Sequence, residues 1–356
     1  MIKIYRIAPA AQWRRRNLNL NRIKIILIIF ISLFFSFLAC FWVNLNLYSK
    51  SPAGNNQTES QIDILPGQKF KNTVKILSHK NIIKYPFYFK LLALMKGYDT
   101  RIRAGEYFLS PSLTPNEIFE IMVQGRVRLY KLMIPEGYNL REIACAAAKA
   151  GLVSEHNFMK TAINSELVRQ YGISAETFEG YLFPETYFFS KNISPEKIIH
   201  TMLKTFRTVF TTSFRNRAKK LGFSLHQIVT LASIIEKETG TSFERPLISS
   251  VFHNRLKKKM RLASDPTVIY GIDEFNGNLS KKDILTATPY NTYKIKGLPP
   301  GPISNPGFES IEAALYPADT QFFYFVSRKD KTHEFSTNII DHNRAVRKYQ
   351  LGNVHP

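Results

Sequence analysis

An uncharged run from Ile25 to Val43 sits directly behind a segment whose charges are all positive, and no other feature restricts the chain as much. Residues 1 to 24 carry Lys3, Arg6, Arg14, Arg15, Arg16, Arg22 and Lys24 and no acidic residue. Nineteen uncharged residues are enough for a helix to cross a hydrocarbon core of about 30 Å. The basic flank is expected to stay cytoplasmic, because positive charges hold their side of a membrane helix inside. The bulk of the chain is then exported. A cleaved signal peptide is the competing reading, but its apolar core is usually about 7 to 15 residues, and no small-x-small site ends this one. Phe37-Leu38-Ala39-Cys40 is a faint match to a lipoprotein processing site, with Phe a poor fit at its first position. The reading adopted is an uncleaved, single-pass anchor at 25–43 with a cytoplasmic tail at 1–24.

The remaining residues are too many and too apolar for a tail. With 356 residues, 44% hydrophobic and 21% charged, the chain can bury a core and is expected to form two modules beyond the anchor. Only Cys40 and Cys145 occur, one of them in the apolar run, so neither a disulfide nor a cysteine zinc site is expected. No His-Glu-x-x-His pair is present, and no metal or cofactor is called for.

Residues 44–61 read as a polar linker. Between 62 and 130 a small mixed α/β module is expected, with helical patterns around Phe70–Ser78 and Pro86–Met95 and strands at Arg101–Leu109 and Val127–Ile134. Thr114-Pro115-Asn116-Glu117 gives a capping box with proline in the first turn, and Gly125 is placed to end that helix. From 131 to 356 a larger mixed α+β domain follows. Asn139 and Glu142 cap an alanine-rich helix ending at Gly151. Glu179 to Tyr187 is dense in aromatics, either a sugar-facing wall or plain core, with core the default.

Ser224 and Gln227 have capping-box spacing and start a helix through Thr239. At about 100° per residue, Leu225, Ile228, Val229, Ala232 and Ile235 share one side, and Glu236 falls among them while Lys237 and Glu238 turn away. A carboxyl held against an apolar surface resists ionising, which is what a general acid near neutral pH needs. Alternatively the helix ends at Lys237 and Glu236 reaches water from the rim. Leu247 to Leu256 is a second amphipathic helix. Asp265 precedes a proline and is expected in an extended or turn conformation. Thr288–Tyr293 and Gly297–Gly307 are rich in proline and glycine, so their backbone is restricted before any ligand arrives. Amides and aromatic faces there suit a sugar bearing an N-acetyl group. A strand at Phe322–Ser327, another at His333–Ser336 and a last helix close the chain.

Several motifs now stand in order: Ile235-Glu236-Lys237-Glu238-Thr239, Asp265-Pro266-Thr267-Val268-Ile269-Tyr270-Gly271, Tyr290-Asn291-Thr292-Tyr293 with Gly297-Leu298-Pro299-Pro300-Gly301, and His333-x-Phe335 with His342-Asn343. Together they resemble the YceG-like family, the membrane-anchored endolytic murein transglycosylases of bacteria. The resemblance covers nearly all of the chain after the linker. Ala263 stands where the family often has Gln, and Thr332 where a Gly often precedes the His. The resemblance implies a LysM-like subdomain at 62–130, a catalytic domain at 131–356 and Glu236 as the catalytic residue. It implies cleavage of the MurNAc–GlcNAc β-1,4 bond inside nascent strands without water, leaving 1,6-anhydro-MurNAc ends. Candidate substrate-binding residues are Asp265, Thr267 and Tyr270 in the Asp-Pro motif, and Asn291, Thr292, Tyr293 and Asn305 in the braced loops.

One carboxyl group suffices for that reaction, whereas a hydrolase normally needs a second. Asp265 is the candidate for one, so a muramidase is the alternative enzyme; a non-catalytic peptidoglycan-binding scaffold is the alternative outside enzymes. A net charge of +22 points to anionic inner-membrane lipids or wall polymers as partners. A penicillin-binding wall synthase is a further expected partner. Nucleic acid, the usual partner of so basic a chain, is excluded by export.

Overall fold

The computed structural model describes residues 10–351. It divides into two units, residues 1–128 and 129–356, each with its own core.

The first unit opens with α1 (Ala10–Lys50), whose Lys24–Lys50 part is long and apolar enough to cross a membrane, an eighteen-residue stretch of it having a mean hydropathy of 2.8. An N-terminal apolar helix compatible with a single-pass anchor is therefore present. The helix does not stop at the end of the apolar run. Residues 44–50, expected as linker, continue α1, and Leu45 and Tyr48 are buried in the unit's core. Irregular chain begins only after Lys50, and β1 (Ser60–Ile64), α2 (Phe70–His79), α3 (Pro86–Lys96), β2 (Gly105–Leu109) and α4 (Pro115–Gln124) follow. β1 and β2 pair antiparallel with Ile62 opposite Tyr107, so both side chains drop onto the same buried face. Thr114 and Glu117 form the expected capping box on α4, and Gly125 ends that helix at φ 70°, where a side chain would be strained.

The second unit begins with β3 (Leu129–Met133) and continues through α5 (Leu140–Lys149), α6 (Glu155–Ala162), α7 (Ser165–Gln170), β4 (Thr186–Ser190), α8 (Pro195–Val209), α9 (Thr212–Lys220) and α10 (Leu225–Glu238). A 3₁₀ turn (Ser242–Glu244) leads to α11 (Arg245–Lys257), α12 (Asp265–Tyr270), α13 (Lys281–Leu285), α14 (Phe308–Leu315), the hairpin β5 (Tyr324–Ser327) and β6 (His333–Ser336), and α15 (Ile339–Val346). β3 pairs with β4 and β5 with β6, both antiparallel. The sheets are small, and helices supply most of the core, so the architecture is mixed α+β as expected.

Asn139 and Ser224 cap α5 and α10 with their partners Glu142 and Gln227. α10 is more enclosed than one apolar stripe requires. Every residue from Ile228 to Ile235 is buried, including Thr230 and Ser233. The helix is therefore the axis of the second unit, with α14, α11 and α12 packed around it. Asp265 departs from the extended conformation expected before proline: it opens α12, with Pro266 in the first turn, where a missing N–H costs nothing.

Candidate active site

The chain from Gly297 to Gly307 is fastened along α10. His226 Nε2 donates to the carbonyl of Pro300 at 2.8 Å, which leaves its Nδ1 to accept from the Tyr181 hydroxyl at 2.9 Å. Ser233 Oγ accepts the Ile303 N–H at 3.0 Å, and Ser304 Oγ donates to the Ser233 carbonyl at 3.2 Å. At the end of the helix, the backbone N–H of Gly307 donates to Glu236 Oε2 at 3.0 Å. Three turns of α10 thus set the path of the loop, and the loop in turn meets the Glu236 carboxyl.

A second segment closes on the same place. Gly137 N–H donates to Asn305 O at 3.0 Å and Asn305 N–H to Tyr138 O at 2.8 Å, so residues 137–138 and 305 are zipped together. This brings in Glu136. One guanidinium then serves three carboxyl groups: Arg245 Nη2 lies 3.5 Å from Glu236 Oε1 and 3.6 Å from Glu136 Oε2, and its Nη1 pairs with Glu309. Its Nε donates to Ser310 Oγ at 3.1 Å. Exposure separates the group: the Arg245 and Glu236 side chains are 13% and 7% exposed, those of Glu136 and Glu309 48% and 58%. The first two form the enclosed part and the others the rim. Burial, and then the charge of Glu236, push the Glu136 carboxyl above its ordinary value, while Arg245 works the other way.

Glu238, two residues on, is half-buried and has its own partner. Its carboxyl accepts from Ser264 Oγ at 2.5 Å, and burial pushes it up to about 7, with Asp265 adding in the same direction and the Ser264 hydrogen bond opposing. The last turn of α10 therefore sends one carboxyl to the Arg245 cluster and another to the start of α12.

The other expected site residues sort by what already holds them. Asn305 is fully buried; its Oδ1 accepts from Leu182 N–H, and its Nδ2 donates to Tyr138 O and Glu179 Oε1. Asn291 is likewise buried, its Nδ2 donating to Ile284 O at 3.0 Å and Thr286 O at 2.6 Å and its Oδ1 accepting from Tyr293 N–H. Thr267 and Thr292 share a hydrogen bond of 2.8 Å, and Thr292 Oγ1 also accepts the Ser264 N–H. These four act as braces, with their side-chain polar atoms hydrogen-bonded within the protein. Tyr270 packs against Tyr290 with the rings tilted by 56° and donates to Glu179 Oε2 at 3.1 Å. Asp265 and Tyr293 differ, since Asp265 is exposed, Tyr293 is only partly buried, and the Tyr293 hydroxyl donates to Asp265 Oδ1 at 2.6 Å.

The sequence reading missed Arg245, Glu136, Glu309 and Glu179. Arg245 carried a signal, because a cation at the first residue of a helix stands at the positive end of its dipole and needs another reason to be there. Glu179 is a buried carboxyl that receives Leu140 N–H, Tyr270 and Asn305, and burial pushes it up to about 7 against those hydrogen bonds. Among the described residues no group of three His, Cys, Asp or Glu side chains is placed to hold a metal ion.

The profile of the YceG-like family matches residues 62–348. The chain is 33% identical over 312 residues to an endolytic murein transglycosylase of Bacillus subtilis strain 168, covering 83% of this chain and 86% of that protein. It is 28% identical over 328 residues to an endolytic murein transglycosylase of Streptococcus pneumoniae serotype 2 strain D39, where it spans 59% of the relative's length. A crystal structure of a yceG-like protein from Listeria monocytogenes, 34% identical, superimposes with a TM-score of 0.56 over 81% of this chain and 99% of that one. Because the family match takes in the first unit's core from Ile62 onward as well as the whole Glu236 surround, the chain belongs to the YceG-like family.

Proposed function

We propose that this chain is an endolytic lytic transglycosylase that cleaves the MurNAc–GlcNAc β-1,4 bond within peptidoglycan strands and leaves 1,6-anhydro-MurNAc ends. Family membership and the names of the relatives support the reaction class. The observation that carries the residue assignment is the Glu236 carboxyl, 7% exposed, with Arg245 and the Gly307 N–H aimed at its two oxygens. Protonated, it donates to the leaving glycosidic oxygen. As carboxylate, held by those two donors, it takes the proton of the sugar's 6-hydroxyl while that oxygen attacks C1. The reaction consumes no water and returns the proton to Glu236. Asp265 and Tyr293 are proposed as glycan contacts.

We place the protein in the bacterial inner membrane by α1, with residues 1–24 cytoplasmic and residues 44–356 outside, and we assign residues 62–130 as the family's LysM-like subdomain. The dense basic flank before the apolar run supports the orientation. A reporter fused after Pro356 is expected to be active only outside the cytoplasm, and a cytoplasmic signal would remove the wall substrate along with the topology.

The deciding experiment is product analysis. Wild type incubated with glycan strands is expected to give anhydro ends by mass spectrometry, and Glu236→Gln to fold, bind glycan and lose roughly 10² to 10⁴-fold in turnover. Reducing ends carrying oxygen from labelled water would make the enzyme a hydrolase. A well-folded Glu236→Gln protein within a few-fold of wild type would move catalysis to another residue.

A further inference from the structure

Helix α3 presents three faces. Phe89, Leu92 and Ala93 point into the core of the first unit. A second face rests on the last turns of α1: the Tyr88 ring lies 5.9 Å from Phe41 and 5.6 Å from Tyr48, and Tyr85 lies 5.8 Å from Tyr48. The third face is bare, with Phe87 69%, Leu94 53% and Met95 51% exposed. On α1 itself Trp42 is 56% exposed close by. Lys84 and Lys90, both exposed, are interleaved with these apolar groups, while Lys96, also exposed, donates to Asn116 Oδ1 at 2.8 Å.

The level of this patch follows from helix geometry. The apolar run ends at Val43 after nineteen residues, which at 1.5 Å each span about 28 Å, close to the hydrocarbon thickness. Phe41 then stands at the outer edge of the hydrocarbon and Tyr48 roughly 7 Å beyond it, within the headgroup layer. Tyr88 touches both rings, so α3 is pinned at headgroup height. Aromatic rings with lysines between them are the composition favoured at that depth, where the rings take the acyl boundary and the ammonium groups the phosphates.

We propose that α3, with Tyr85 and Trp42, is an interfacial collar: its Phe87–Leu94–Met95 face lies in the headgroup layer of the same bilayer that α1 crosses, and its lysines engage anionic phospholipid. The proposal rests on the anchor reading of α1, and the test separates the two. The full chain carries two tryptophans, Trp13 and Trp42. Trp13→Phe leaves Trp42 to report the anchor. Adding Trp42→Phe with either Phe87→Trp or Leu94→Trp makes α3 the only reporter, and two positions guard against one variant misfolding.

Each protein is reconstituted into phosphatidylethanolamine/phosphatidylglycerol vesicles with or without lipid brominated on the upper acyl chain. Trp42 and both α3 reporters are expected to be blue-shifted and to lose roughly half their emission to the brominated lipid, as side chains about 5–10 Å into the headgroup/acyl boundary would. Quenched Trp42 with unquenched α3 reporters would overturn the collar and leave the anchor standing. If those reporters were blue-shifted but unquenched, a protein would be covering the face, which also overturns it. Failure of Trp42 to be quenched would remove the anchor and the collar together.

Discussion

Gly307 donates its backbone N–H to Glu236 at 3.0 Å at the one point where residue 307 has no room for a side chain. A Cβ there would fall 1.8 Å from Glu136 Oε1. The colliding atom is the tip of a half-exposed side chain, so the fold can yield, but only by moving Glu136 or the N–H donor. Gly307→Ala is expected to stay folded and lose about 10²-fold in turnover, the usual cost of an ångström-scale misplacement. In Gly307→Ala/Glu136→Ala the collision is gone, so the melting temperature should match that of Glu136→Ala alone. Unchanged turnover in the single variant would show that the donor is not needed.

Arg245 is expected to set the pH at which the site works. Its charge holds the Glu136 carboxyl down against burial and the neighbouring carboxylates, so Arg245→Ala lets that carboxyl rise further. The pH–turnover profile should move to higher pH. Arg245→Lys keeps the charge without the planar fork that reaches three partners, so it should restore the position of the profile but not its height. Profiles recorded on glycan strands for the three proteins check this, and a profile unmoved in Arg245→Ala would exclude the coupling.

Stability should fall as pH rises from about 4.5 to about 7. Glu179 and Glu238 are pushed up to about 7 chiefly by burial, so the folded chain keeps two protons that the unfolded chain releases in this window. Their contribution is complete below about pH 4.5, declines through the window and is flat above about pH 7, by about 3 kcal/mol per group. Glu238→Gln cannot ionise yet still accepts from Ser264. Relative to wild type it should remove about half of that decline, read from urea midpoints across the range; a pH-independent difference would mean that Glu238 ionises freely when folded.

Asn291 is expected to matter for the fold. Asn291→Ala removes a fully buried amide that donates to the part-buried carbonyls of Ile284 and Thr286, a loss of about 1–3 kcal/mol. Thermal melts should show it, with turnover per folded molecule near wild type. Tyr293→Phe is the contrast: it removes only the hydroxyl bound to Asp265 and should weaken glycan turnover with little change in melting. The reverse pattern would make Asn291 the ligand group.

Local signals in the sequence were faithful where the interaction itself is local. The boxes at Thr114, Asn139 and Ser224 each join residues three positions apart, and all three helices start there. Placing Glu236 beside Ala232 and Ile235 needed only helix periodicity. The groups that meet Glu236 come from residues 136, 245, 307 and 309, and no spacing rule joins those numbers. Nor does residue type tell an amide that braces a loop, as Asn291 and Asn305 do, from one that faces a ligand. Glu238 turns away from the apolar stripe, but the pattern of α10 alone cannot show that Ser264 meets it on that far side. The stretch 44–50 looked like linker because two inward residues, Leu45 and Tyr48, are too few to register as a period.

Phe41, Leu45 and Tyr48 fall four and then three residues apart on one continuous helix, and the core of the first unit is built on them. A flexible tether would absorb an extra residue without consequence. Here one alanine inserted after Val43 would turn everything before it by about 100° and shift it by about 1.5 Å relative to Leu45 and Tyr48. Phe41 would leave Tyr88, and the hydrophobic span would be rotated against the domain it carries. The join between span and domain thus behaves as a keyed shaft, in which the number of residues fixes the direction the domain faces.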